Sequence, residues 1–266
     1  MFSLIPSTQG VSSINATEQP CNCVVFRMDD IQDYWINSGQ TAVMDLFLSK
    51  NQSLSLGLIM NGIGNDPEIL DKVKEGFHKG YFELSLHGWD HTDHTKLNKE
   101  EQKESLNKAN EKLNSIYGIK SDIFIPPENV FNNDTLEVIN QSGIDVLSSS
   151  VYVEDKFDAG KSIFNIKNNT KIQGNKMINQ QQIYHVPETI PYKGYDNNAG
   201  EWIKNSIRDI VNNVTVSIDK YGYAVIVLHP QDFVNIENGT SVNIVNENEI
   251  KDLSGLIDSL ITNNIT

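Results

Sequence analysis

Residues 83–94 read ELSLHGWDHTDH and hold three of the chain's six histidines. His87 and His91 are four positions apart. One helical turn or a short loop puts both imidazoles on one side at that spacing, a separation that suits one zinc ion. Gly88 follows His87, so this is not the H-E-x-x-H protease pattern. A hydrolytic zinc site needs a third ligand and often takes a carboxylate. Asp30, in FRMDD, is available, which leaves the adjacent Asp29 to act as a base rather than a ligand. A further histidine, His229, stands in VLHP near the end of the chain.

These side chains need elements to position them, and the chain alternates strand and helix patterns. Seven short runs, CVVFRM, LSLGLIM, FELSLH, DIFIP, IDVLSS, IYHVP and YAVIVLH, are nearly continuously apolar, as expected of strands covered on both faces. Between them lie helix patterns. One opens on Asp66 and Pro67, a cap and a favoured first-turn residue, and stops at Gly80. Another opens on Asn98 with Glu101 three residues on and ends at Gly118. TAVMDLFLSK, NDTLEVINQSG, GEWIKNSIRDIVNNVTVSIDKYG and NENEIKDLSGLIDSLIT read as helices too, whereas residues 151–182 read as irregular with a hairpin excursion. Alternating β and α with buried strands predicts an α/β fold on a parallel sheet, either a barrel or an open doubly wound sheet.

The polar residues favour the barrel, because they collect where strands end. Asp29 and Asp30 follow the first strand, Asn61 the second, and His87 and His91 the third. Pro126, Pro127, Glu128 and Asn129 follow the fourth, Glu188 the sixth, and His229 the seventh. In a parallel barrel these carboxyl ends share one face, where active sites are built.

This set and its order resemble the polysaccharide deacetylases of the NodB-homology type, carbohydrate esterase family 4, over roughly residues 22–235. The resemblance implies a distorted (β/α)7 barrel of parallel strands. It implies Asp29 as catalytic base, with Asp30, His87 and His91 as ligands of zinc or of another divalent metal such as cobalt or nickel. It implies that Pro126 and Pro127 form a wall, and that Leu228 and His229 supply the late Leu-His motif, His229 being the general acid. The implied reaction removes N-acetyl groups from a chitin- or peptidoglycan-like glycan, releasing acetate.

The sequence departs from the family twice. Ile125 stands where the family has an arginine that orients the base, and the acid that partners the late histidine is not identified, with Asp155, Glu188, Asp196 and Asp232 as candidates. Arg27 offers a replacement cation, since positions i and i+2 of a strand share a face and Arg27 precedes Asp29 by two. Its alternative is to face the outer helices or to pair with a different acid. Asn129 completes the expected surroundings of the site. Trp35, Trp89, Tyr152 and Tyr192 offer stacking faces for sugar rings or pack at the rim and in the core. His78 reads as a helix-end residue, His94 as solvent-facing or supporting, and His185 as core or cleft.

Composition bounds the alternatives. A chain of 266 residues with 38% hydrophobic and 21% charged residues can bury a sizeable core. A net charge of −14 without a basic cluster argues against nucleic acid. No apolar run reaches the roughly twenty residues of a membrane span. Residues 1–21 read as a polar N-terminal segment and 22–266 as one catalytic domain. The segment lacks the charged start and long apolar run of an intact signal peptide. Glycosylation sequons at Asn15, Asn51, Asn133, Asn140, Asn168, Asn213, Asn238 and Asn264 hint at a secreted or cell-surface setting, with an asparagine-rich composition as the alternative reason for their number. Cys21 and Cys23 are expected to be two small residues entering a strand, with a bridge between them as the alternative. Two other functions compete: a metal-dependent amidase or imidase acting on a small molecule, and a carbohydrate-binding protein with a decayed site.

Overall fold

The computed structural model describes residues 22–149, 151–152, 174–178, 181–196 and 201–265. In chain order the strands are β1 Cys23–Ile31, β2 Leu54–Leu58, β3 Phe82–Leu86, β4 Ile123–Phe124, β5 Val130–Phe131, β6 Val146–Leu147, β7 Val151–Tyr152 and β8 Gly174–Ile178. They continue as β9 Gln181–His185, β10 Ile190–Pro191, β11 Lys193–Asp196, β12 Glu201–Lys204, β13 Tyr223–Leu228, β14 Val234–Glu237 and β15 Thr240–Val245. The helices are α1 Asn37–Lys50, α2 Pro67–His78, α3 Lys99–Tyr117, α4 Asn133–Gln141, α5 Ile207–Tyr221 and α6 Glu247–Thr262.

The main sheet runs β10-β13-β1-β2-β3-β4-β6-β9-β8. Every neighbouring pair in it is parallel except β8 and β9. It is a curled parallel sheet, a half-barrel, and all seven expected strands belong to it. Residues alternate across β1. Phe26 packs edge-on to Phe47 of α1, ring centroids 5.1 Å apart, and Met28 is fully buried with it in the helix-side core. Arg27 and Asp29 take the opposite face, inside the curl, as the two-residue period of a strand requires.

The helix boundaries follow local chemistry. Asp66 accepts a hydrogen bond from Glu68 N with Pro67 in the first turn, and Asn98 and Glu101 form a reciprocal capping box. Gly118 ends α3 with φ 75. One expected helix is shorter than its pattern. Glu201–Lys204 pairs antiparallel with Lys193–Asp196, and α5 begins only at Ile207, capped by the Ser206 side chain. Lys204 is held there by Glu249 and Asp252 of α6, at 3.1 and 2.5 Å. The hairpin of β14 and β15 carries no helix or buried-strand pattern and was not expected.

Glycines matter at two close approaches. A Cβ on Gly57 would stand 3.0 Å from Asp29 Oδ1, so glycine there lets β2 pass the β1 carboxylate without crowding it. A Cβ on Gly39 would stand 2.6 Å from Pro230 O, so glycine lets α1 close on the turn after His229. Among the described residues no helix is long and apolar enough to cross a membrane. Cys23 is disulfide-bonded, and Cys21, like all of residues 1–21, lies outside the described residues. The Asn140 sequon is buried, which does not suit a glycan at that position.

Candidate metal centre and its surroundings

Asp30, His87 and His91 converge. Asp30 Oδ1 lies 3.2 Å from His87 Nε2 and 3.1 Å from His91 Nε2, and all three ligand atoms fall within 4.8 Å of one another. Tetrahedral bonds of about 2.0–2.1 Å put ligand atoms about 3.3–3.4 Å apart, so the residues present fit one divalent ion. His87 is buried, and its Nδ1 lies 2.8 Å from Ile125 O. A carbonyl only accepts, so Nδ1 carries the proton and Nε2 keeps its lone pair for a ligand. Burial raises the Asp30 carboxyl, but the imidazoles of His87 and His91 outweigh it and hold Asp30 well below the carboxylate range. The Asp30 carboxylate raises His91 in turn.

The backbone is bent to make this arrangement. The β1–β2 register shifts between Met28 and Ile31, and such a bulge re-aims side chains. Asp30 has φ 64, His91 φ 61, Glu128 φ 60 and Asn129 φ 55. Left-handed backbone at non-glycine residues costs roughly 1–3 kcal/mol apiece and collects at functional sites.

Asp29 is buried beside this centre. Its Oδ2 accepts from Arg27 Nη2 at 2.7 Å, while its buried Oδ1 has no hydrogen-bond partner among the described residues. Arg27 therefore faces into the curl, not toward the outer helices. His229 follows β13. Its backbone N–H donates to Asp232 Oδ2 at 3.0 Å, and its ring Nδ1 stands 3.9 Å from the same oxygen. Of the acids weighed as its partner, Asp232 is the one the structure puts against it. Burial pushes the Asp232 carboxyl up. Glu188 joins Arg27 and Asn129 instead, Asp155 lies outside the described residues, and the Asp196 side chain is not among those described. Pro126 and Pro127 are buried and lead into the turn Pro127–Asn129. Leu228 is fully buried in register with Met28, so its side chain is core rather than cleft.

Several sequence candidates sit elsewhere. Tyr192 is buried against Phe233 and donates to Glu249 Oε2, so it offers no face to a sugar. Trp89 is capped by Lys108 Nζ, 4.2 Å from its ring centre, and Trp35 is half-buried. Tyr152 has no described side chain. His94 is buried, not solvent-facing, and burial pushes it down to about 4. His185 is buried, with Nε2 2.7 Å from Ser149 O, and His78 is exposed at the end of α2. Asn61 is exposed, and its N–H donates to Trp89 O at 2.6 Å, steadying the histidine loop. Sequence reading missed Ser148, which binds Arg27, and Gly57. The signals were a serine closing the fifth strand and a glycine inside an apolar one.

Comparisons with known proteins bear on the family and the fold. The family model described as polysaccharide deacetylase matches residues 16–147, a span that includes Asp29, Asp30, His87 and His91 and stops before His229. No curated protein matches. Among solved structures, a CE4 family pseudoenzyme from Bacillus anthracis is similar over 92% of this chain at 12% identity and TM-score 0.55. This chain spans only 62% of that protein's length. The Bc1960 peptidoglycan N-acetylglucosamine deacetylase is similar over 92% of this chain and 84% of its own, at 15% identity and TM-score 0.55. A family 4 acetyl xylan esterase from Clostridium thermocellum, in complex with a cobalt ion, is similar over 91% and 85%, at 13% identity and TM-score 0.55. At these identities the structures speak for the fold alone.

Proposed function

The chain belongs to the polysaccharide deacetylase family, and we propose that it is a metal-dependent hydrolase that removes N-acetyl groups from the amino sugars of a glycan outside the cell. One observation carries the reading: three ligand atoms fit for a divalent ion lie beside a buried carboxylate whose one oxygen is held and whose other is free. Residues 22–266 form the catalytic domain in this reading.

Asp30, His87 and His91 would hold the ion, with zinc as the proposed metal. When bound, such an ion polarises the acetyl carbonyl and brings the pKa of a water toward about 7. Asp29 takes the proton of the attacking water on Oδ1, the oxygen that Arg27 leaves free. His229 gives a proton to the departing amine, so the C–N bond breaks to acetate and a free amino sugar. Asp232 accepts from the His229 backbone N–H and places its negative charge 3.9 Å from the ring Nδ1, where it favours the protonated imidazole. The decayed-site alternative drew on Ile125 in place of arginine, and the Arg27–Asp29 pair weakens it.

The test is an acetate-release screen over chitin oligomers and peptidoglycan, with and without chelator. Chelator-sensitive release supports the reading. Zinc-loaded protein that releases no acetate from any of them refutes it.

A further inference from the structure

Arg27 is 1% exposed, and residues from four different strand ends share its guanidinium. Nη1 donates to Ser148 O at 3.1 Å and to Ser148 Oγ at 2.8 Å. Nη2 donates to Asp29 Oδ2 at 2.7 Å and to Asn129 Oδ1 at 2.8 Å. Those four bonds match the four hydrogens of the two terminal nitrogens. Glu188 stands behind them. Its Oε2 lies 3.5 Å from Nη2 and accepts from Asn129 Nδ2 at 3.1 Å. Asn129 therefore accepts from the cation and donates to the anion, which fixes the orientation of its amide. The φ of 55 that aims its side chain is one that asparagine tolerates better than most residues.

We propose that Asn129 and Glu188 are positioning residues for Asp29: acting through Arg27, they fix which carboxylate oxygen is held and which is free. The proposal rests on the reading of Asp29 as the base. A guanidinium tied only to Asp29 could swing with that carboxylate. One pinned at Nη1 by Ser148 and at Nη2 by Asn129, with Glu188 as a second counter-charge, cannot. The planar fork makes this directional, which a lysine ammonium is not.

The experiment compares Glu188→Ala and Glu188→Gln with the wild type by crystal structure, metal content and acetate-release kinetics. In Glu188→Ala, the Arg27–Asp29 pair is expected to swing as a unit, carrying Asp29 Oδ1 away from its wild-type position, while the metal stays stoichiometric. Its kcat should fall roughly tenfold or more with KM unchanged, and Glu188→Gln, which still accepts from Asn129, should recover most of the loss. Should Glu188→Ala not fold, Asn129→Gly keeps the left-handed backbone, removes the relay and carries the same expectation. An Asp29 carboxylate unmoved in these variants, with kcat within about twofold of wild type, overturns the proposal. If the wild type releases no acetate, the proposed function falls, while the position of Asp29 in the variant crystals still decides this inference.

Discussion

His87 Nδ1 lies 2.8 Å from the carbonyl oxygen of Ile125. Ile125 sits where an arginine was expected, and its side chain is fully buried. Its backbone nonetheless serves the site, because the end of β4 lies beside the end of β3 and delivers a carbonyl to the imidazole. The proton is thereby kept on Nδ1 and Nε2 is turned toward Asp30.

His87→Ala is therefore expected to lose bound metal while staying folded. Added zinc should raise the melting temperature of the wild type, since an ion at a hundred times its Kd stabilises by about 2.7 kcal/mol. The same addition should leave the variant unmoved. Elemental analysis showing one zinc per chain in His87→Ala would remove His87 as a required ligand.

Asp29→Asn separates base from ligand. The amide keeps the shape of the carboxylate and cannot take a proton. Metal content should match the wild type, and acetate release should fall roughly a hundredfold or more. Near-normal turnover would show that another group is the base.

His229→Ala should also keep its metal. The loss should be large for N-acetyl substrates, whose amine leaves poorly without a proton, and small for aryl acetates, whose phenolate leaves readily. Equal losses on the two substrate types would argue against a proton-donating role.

Gly57→Ala brings a methyl group to 3.0 Å from Asp29 Oδ1 and 3.4 Å from Ile125 Cδ1. Metal should be retained, catalysis should drop, and urea denaturation should report a loss of about 1–3 kcal/mol from overpacking. Wild-type turnover would mean that the strands separate without moving Asp29.

Gly76→Ala tests the packing of α2 without reference to function. Replacing a mid-helix glycine by alanine ordinarily stabilises by about 1 kcal/mol. Here the new Cβ would sit 2.0 Å from the Phe82 ring, so the variant should melt lower than wild type. A higher melting temperature would show that Phe82 yields easily.

The sequence by itself determined the alternation of strands and helices, because apolar runs and caps such as Asp66 and Asn98 are local chemistry spanning a few residues. It also marked Asp29, Asp30, His87, His91 and His229, because a parallel sheet places strand ends on one face wherever they fall in the chain. Tertiary structure decided the partners. Arg27 meets Ser148 across 121 positions and Asn129 across 102, separations that no local pattern encodes. It likewise paired Glu201–Lys204 with Lys193–Asp196 in place of the helix start that its pattern suggested, holding Lys204 against α6. It turned Tyr192 inward onto Phe233 as well. Residue type and spacing state what chemistry a side chain can do, and only the packed sheet states which atoms stand close enough to do it together.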